Sequence, residues 1–390
     1  MKKSAKSNSS KIIIILLALL IGLVGGFVGV TYATLPDTED LLVTSEVFYS
    51  YNNADEIVTA ELTGMPSEVS VHFLELGNKY TGDCTYIKVG DVDILIDCGS
   101  KTNSISTVSN YLNQYVTDGK LEYVIVTHAH TDHYAGFATS EKVKSIFDLY
   151  ECENIITFAK TNQTTGATYK NFLRELDDEV EAGASHYTAD QCVDEPFVLN
   201  AEFNITLEIL DSYYYYNSAT SENDYSVCAM LNQGTDEDAK HFLFTGDLEA
   251  DGETRLLDLN PELKEDGFYV DLYKAGHHGS KTSSSEEFLK AIKPKKVCVC
   301  CCAGSPEYTN TPENQFPTQE FIDRISLYTN EVYVTTLCID YKNNEFTSFN
   351  GNIVIISNAE KFGVNCSNNN SILKDTDWFK NNRTTPNAWK

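Results

Sequence analysis

The sequence is short of positive charge. Lys and Arg number 29 against 57 Asp and Glu, a formal charge of −28. Lys2, Lys3, Lys6 and Lys11 precede every acidic residue, so the chain without these four lysines carries −32, and no Lys or Arg lies between Lys11 and Lys79. Such a field repels polyanions and offers no basic stripe, which argues against tight sequence-independent nucleic-acid binding. Internal repeats are missing too, which excludes a solenoid or propeller. A small-domain disulfide framework is also excluded, because the eleven cysteines are odd in number and cluster as CVCCC, Cys298 to Cys302. Following Val297 and interleaved with Val299, these cysteines read as small hydrophobes on a buried strand. Neighbours on a strand point to opposite faces, so they do not read as a zinc cluster.

What the chain does have begins at residue 12. IIIILLALLIGLVGGFVGV is 19 apolar residues long, and at about 1.5 Å per residue it nearly crosses a hydrocarbon core of roughly 30 Å. With the nearby lysines all on its N-terminal side, 1–11 is expected in the cytoplasm, 12–30 as a single-pass transmembrane anchor, and the rest outside the cell. A cleaved signal peptide ending near TYA, Thr31 to Ala33, is the weaker reading, since the apolar run exceeds the roughly 7–15 residues of such leaders. Residues 31–68 read as an acidic linker.

At Val69 the patterning changes. VSVHFLEL, CTYIKV and VDILIDCG alternate as strands, and Ile105, Val108, Leu112 and Val116 space as one helix face. LEYVIVT, NIITFA, NITLEIL, YSVCAML, KHFLFTG, FYVDLYK, KVCVC, VYVTT and NIVIIS extend the strand set. Helices are expected at Tyr169, Phe172, Leu173, Leu176 and Val180, in SEEFLKAI and in TQEFIDRISLY. The order predicts a mixed α/β domain over 69–357, followed by a polar Asn-rich tail, 358–390, whose Trp378 and Trp389 have somewhere to dock.

Histidine is scarce, eight in 390 residues, yet THAHTDHYAG places His128, His130 and His133 within six residues where an apolar run ends. With Asp132 these are nitrogen and oxygen donors suited to zinc or a similar ion. His128 and His130 can reach one ion, while Asp132 and His133 point on toward a second. HFLFTGD brings Asp247 to another strand end. LYKAGHHGS brings His277 and His278 to a third, with Gly279 for a tight turn. Five of the eight histidines thus fall at three strand termini. His72 and His241 read as packing or surface residues, and His186 stays open.

THAHTDHYAG resembles the H-x-H-x-D-H signature of metallo-β-lactamase-fold hydrolases. VHFLELG with TGDCTYI, ILIDCGS, ENDYSVCAML, FLFTGD and KAGHHGSKTSSSEEFLKAIKPK follow it in the order of the extracellular hydrolase domain of ComEC-type competence proteins. The resemblance spans about 69–357 and implies an αββα sandwich with two divalent ions at one edge, zinc first, manganese or magnesium as alternatives. It implies His128 and His130 on one ion, Asp132 and His133 on the other, and Asp247 bridging. Of the pair, His277 is the expected ligand and His278 the residue toward substrate, an order the residues themselves leave open. Asp97 resembles a structural carboxylate that orients ligands. The third-motif histidine of lactamases has no clear match, with Asp224 and His186 as candidate substitutes, and Phe316-Pro317 stands where such domains often carry His-Pro.

Two such ions supply a metal-bound hydroxide near neutral pH and clamp the electrophile's oxygens, with Asp132 or Asp247 orienting the nucleophile. The expected activity is hydrolysis of a small-molecule phosphoester or phosphodiester at the outer membrane face. The alternatives are a lactonase or lactamase-like amide or ester hydrolase, and a non-catalytic envelope-binding module.

Overall fold

The computed structural model describes residues 56–138, 143–235, 239–358 and 361–390. The expected anchor, 12–30, lies outside the described residues. Among the described residues no helix is long and apolar enough to cross a membrane.

The described strands, in chain order, are β1 (Val69–Phe73), β2 (Thr85–Val89), β3 (Val92–Ile96), β4 (Lys120–Val126), β5 (Glu151–Thr157), β6 (Ser185–Thr188), β7 (Phe197–Asn200), β8 (Ile205–Ile209), β9 (Ala229–Gln233), β10 (Lys240–Phe244), β11 (Leu272–Lys274), β12 (Lys296–Ala303), β13 (Val332–Asp340), β14 (Glu345–Ser348), β15 (Ile353–Ser357) and β16 (Phe362–Cys366). They form two eight-stranded sheets, ordered β16-β15-β1-β2-β3-β4-β5-β6 and β14-β13-β12-β11-β10-β9-β8-β7. A two-residue hairpin opened by Gly90, at φ +58°, pairs Val89 with Val92. From β3 to β6, and again from β10 to β13, neighbouring strands run parallel. Parallel pairs need crossovers, and helices supply several of them. Ile105–Leu112 and Ala167–Ala182 serve the first sheet; Ala250–Leu259, Glu286–Ile292 and Gln319–Ile325 serve the second.

Alternation along the second sheet separates two cores. Phe242, Phe244, Leu272, Cys298 and Cys300 join the cluster that also contains Val71, Phe73 and Ile94 of the first sheet. Leu243, Tyr273, Val297, Val299 and Cys301 instead pack with Leu256, Phe288, Leu289, Phe321 and Ile322 of the outer helices. The rings of Phe73 and Phe244 meet at 6.4 Å between the sheets. The molecule is therefore layered helix, sheet, sheet, helix. The expected cysteine strand is fully buried, and all eleven cysteines are free thiols. Ser285 and Thr318 cap their helices by accepting from the amides of Phe288 and Phe321.

The expected helix face differs from what is found. In Ala167–Ala182 only Tyr169, Phe172 and Leu176 of the expected face are buried; Leu173 and Val180 are exposed, because one narrow stripe suffices to meet Tyr134 and Phe158. The expected Asn-rich tail, 358–390, does dock, and it also extends the domain past 357. It supplies β16, and Leu373, Phe379 and Trp389 enter the outer core of the second sheet. Trp389 Nε1 donates to Thr329 O at 3.0 Å and its ring meets Phe379 at 5.6 Å. Trp389→Ala should therefore cost about 3 kcal/mol of stability, read as a lower denaturant midpoint of the purified protein.

Candidate metal centre

Parallel strands send their C-terminal ends to one edge, where loops are free to carry side chains outward. Here β3, β4, β10, β11 and β12 end together, and the residues that follow them are Asp97, Thr127 to His133, Thr245 to Asp247, Ala275 to His278, and the loop from Gly304. At this edge Val227 N donates to Thr127 O at 2.9 Å and ties the second sheet to the first, while Asp247 N donates to Ser226 Oγ at 3.0 Å between neighbouring strand ends of the second sheet. Close approach is enforced by glycine, since a Cβ on Gly99 would sit 1.5 Å from Asp132 O.

His133 is at the middle. Its Nδ1 donates to Asp97 Oδ2 at 2.7 Å, and Asp97 in turn accepts from Thr127 N and Oγ1 at 2.8 and 2.7 Å. That carboxylate fixes the ring and leaves Nε2 facing the centre, 3.2 Å from Asp247 Oδ2 without hydrogen-bond geometry. His278 is held in the same way from the other side. Its Nδ1 donates to Cys300 O at 2.9 Å, and Nε2 lies 3.3 Å from Asp247 Oδ2 and 3.5 Å from Asp132 Oδ2. The backbone accepts strain to achieve this, with Asp97, His277 and His278 at φ of +58°, +45° and +54°.

The expected order of the His-His pair is reversed in position. His278 is buried with its Nε2 directed inward, whereas His277 is partly exposed, its Nε2 3.9 Å from Asp247 and its Nδ1 3.0 Å from Thr282 Oγ1. The left-handed turn aims consecutive side chains apart, so only one can enter. His128 is buried, with Nε2 3.0 Å from Nδ1 of the partly exposed His130. Two nitrogens this close suit a shared ion. Neither proposed substitute for the third histidine reaches the centre. Asp224 accepts from Glu249 N at 3.3 Å, ahead of the helix Ala250–Leu259, and His186 meets Thr157 Oγ1 at 2.9 Å on strand β6, at the end of the first sheet. The ENDYS stretch instead contributes Ser226, whose Oγ lies 3.4 Å from His128 Nδ1.

Three residues are additions to the sequence reading. Asp83, just before β2, places Oδ1 3.2 Å from His278 Nδ1. Lys274, the last residue of β11, is buried, pairs with Asp83, donates to Gly246 O at 2.8 Å and stands 3.5 Å from Asp247 Oδ1. A lysine ending a buried strand just before His277 and His278 was the available signal. Tyr308 donates its phenol to Asp132 Oδ2 at 2.7 Å; nothing in its surrounding sequence marks it.

Electrostatics follow from this crowding. Burial holds His128 well below the usual imidazole range, so it is a neutral donor. Burial alone would do the same to His133 and His278, but the carboxylates of Asp247 with Asp97, and of Asp247 with Asp83, outweigh it and hold both well above. Asp132 and Asp247 are held far below the carboxylate range, the imidazoles overcoming the cost of burial.

Metal ions fit these residues. Nε2 of His133 and of His278 and Oδ1 of Asp83 are buried without a hydrogen-bond partner. Ligand atoms converge within 4.8 Å in the sets His128, His133, Asp247 and Asp132, His133, His278. Orphaned imidazole nitrogens facing carboxylates are what a divalent cation satisfies.

Residues 77–144, which include the whole His128–His133 signature, match the family model described as "Metallo-beta-lactamase superfamily". ComE operon protein 3 of Bacillus subtilis (strain 168) is 34% identical over 79 residues, which is 20% of this chain and 9% of that protein's length. Among solved structures, the metallo-β-lactamase fold protein YhfI from Bacillus subtilis aligns at a TM-score of 0.38 with 13% identity, covering 74% of this chain and 100% of that one. The metallo-β-lactamase SMB-1, in a complex with mercaptoacetic acid, aligns at 0.32 with 14% identity, over 53% of this chain and 79% of that one. Residues 77–144 thus carry the match to the metallo-β-lactamase superfamily.

Proposed function

We propose that this chain is a metal-dependent hydrolase of phosphoester bonds, phosphodiesters first, tethered through residues 12–30 with its catalytic domain outside the cell. The observation that carries the metal reading is the convergence of His128, Asp132, His133, Asp247 and His278 from three strand ends, with two imidazole nitrogens directed inward and unpartnered. When bound, divalent ions supply a Lewis acid and a water acidic enough to attack near neutral pH.

The chain's own residues do the positioning. His133 and His278 are locked by Asp97 and Cys300 O, so their Nε2 atoms are aimed before any ligand arrives. Asp247 Oδ2 lies between the two imidazoles, the place for a bridging carboxylate. Asp132 is the more exposed carboxylate and borders the solvent side, which suits it to orient the attacking water. Support for an anionic substrate comes from Lys101 and Lys281. In a chain of −28 they reach the loop beside the centre, at Glu307 (3.8 Å) and Asn314 (3.1 Å).

The first test is turnover by metal-loaded protein of bis(p-nitrophenyl) phosphate against a lactone and a β-lactam; turnover of a carbonyl substrate alone overturns the phosphoester reading. His130→Ala should lower turnover at least ~100-fold while leaving the melting temperature in place. Because His133 and His278 bind protons well above the ordinary imidazole range without metal, metal uptake displaces those protons. Metal affinity should therefore rise with pH, and calorimetric titrations in buffers of different ionisation heat should detect proton release. Full-length protein should stay in the membrane fraction after alkaline carbonate extraction, and deletion of residues 1–33 should release it.

A further inference from the structure

Between β12 and the helix Gln319–Ile325 the chain makes a loop, Gly304–Pro317, that lies against the metal centre. Its framework is fixed. Gly304 N donates to Phe316 O at 2.9 Å, Thr318 N to Gly279 O at 2.9 Å, and Thr81 N to Glu307 Oε2 at 2.9 Å. A Cβ on Gly279, at φ +77°, would stand 2.9 Å from Pro317 Cβ, so the end of the loop is pressed onto the His277–His278 turn. Phe316 packs on both imidazoles, at ring distances of 5.7 and 5.8 Å, and the Tyr308 ring leans on Phe316 at 5.6 Å.

From this perch Tyr308 donates to Asp132 Oδ2 at 2.7 Å, the oxygen that also faces His278 Nε2 at 3.5 Å. The phenol thus reaches the ion-facing oxygen from the solvent side, and Tyr308 remains 56% exposed. The groups that orient ligands here are otherwise buried: Asp97, Asp83 and the Cys300 carbonyl. Asp132 has little need of another such partner. Its backbone is already fixed, with its carbonyl accepting from Asp83 N at 3.0 Å and packed against Gly99. An exposed donor on an aromatic rim, one hydrogen bond from the ion-facing oxygen, is placed for a ligand that arrives from solvent.

We propose that Tyr308 is a catalytic residue that donates its phenolic hydrogen bond to a non-bridging phosphoryl oxygen of the substrate, giving up Asp132 Oδ2 as its acceptor for that oxygen. No covalent bond forms at Tyr308, and the hydrogen bond counters charge that grows on the phosphoryl oxygens as the ester bond breaks. This inference rests on the phosphoester reading above.

The test compares wild type with Tyr308→Phe, both loaded with Mn²⁺, in three measurements: turnover of bis(p-nitrophenyl) phosphate, calorimetric binding of inorganic phosphate, and Mn²⁺ affinity. Loss of one such donor should lower kcat by ~10- to 100-fold and weaken phosphate binding ~10-fold. Mn²⁺ affinity and melting temperature should be unchanged. A kcat deficit that persists at saturating Mn²⁺ supports the assignment. A variant with wild-type turnover, or one whose deficit disappears at saturating Mn²⁺, overturns it and leaves Tyr308 as a support for Asp132. A wild-type protein that takes up Mn²⁺ but neither binds phosphate nor turns over the diester overturns the phosphoester reading and this inference together, whereas an active wild type matched by its variant in turnover and phosphate binding overturns this inference alone.

Discussion

Four carboxylates, Asp83, Asp97, Asp132 and Asp247, are gathered under one edge of the two sheets, and their mutual repulsion is the constraint that the neighbouring residues answer. Three of them are buried, and an interior tolerates charge only when it is paired and hydrogen-bonded. Lys274 offsets one charge from beneath, between Asp83 and Asp247. The remainder falls on His133, His278 and the cations that the site fits. Two divalent ions would bring the formal balance of these groups to within one unit of neutrality, which would tie the stability of the fold at this edge to their uptake.

That dependence explains why the supporting groups sit behind the ligands rather than among them. Asp97 and Cys300 O each take one imidazole Nδ1, so tautomer and ring direction are decided by buried neighbours. The backbone at Asp97, His277 and His278 occupies a region that L-residues seldom visit, and the packed strands on either side hold it there. A cation would thus be received by a cradle whose entropy cost is met during folding.

Much of this was legible in the chain, for identifiable reasons. The signature from His128 to His133 stands out because polar donors crowd directly behind an apolar run, and the cysteines of β12 stand out because they alternate with valine. Asp247 and the His277/His278 pair follow the same rule of strand ends. Asp83, Lys274 and Tyr308 do not, because each is a lone polar residue whose partner is decided by which strands become neighbours. No local pattern states that β2, β10 and β11 converge. The choice between His277 and His278 depended on two dihedral angles. The last segment was hidden by composition: its Asn and Thr residues dominate the count, while Leu373, Phe379 and Trp389 do the packing.

The pairing of β1 with β15 carries a consequence for how the domain comes into being. Val69 lies opposite Ser357, and β1 has β2 on its other side, so an early strand waits for one made almost three hundred residues later. Closing so long a loop before any contact rewards it is slow. Until β15 arrives, a row of unpaired amides and carbonyls along β1 stays open to other chains. If the domain matures on the far side of a membrane, that vulnerable interval falls after threading, where a chaperone or dilution must guard it.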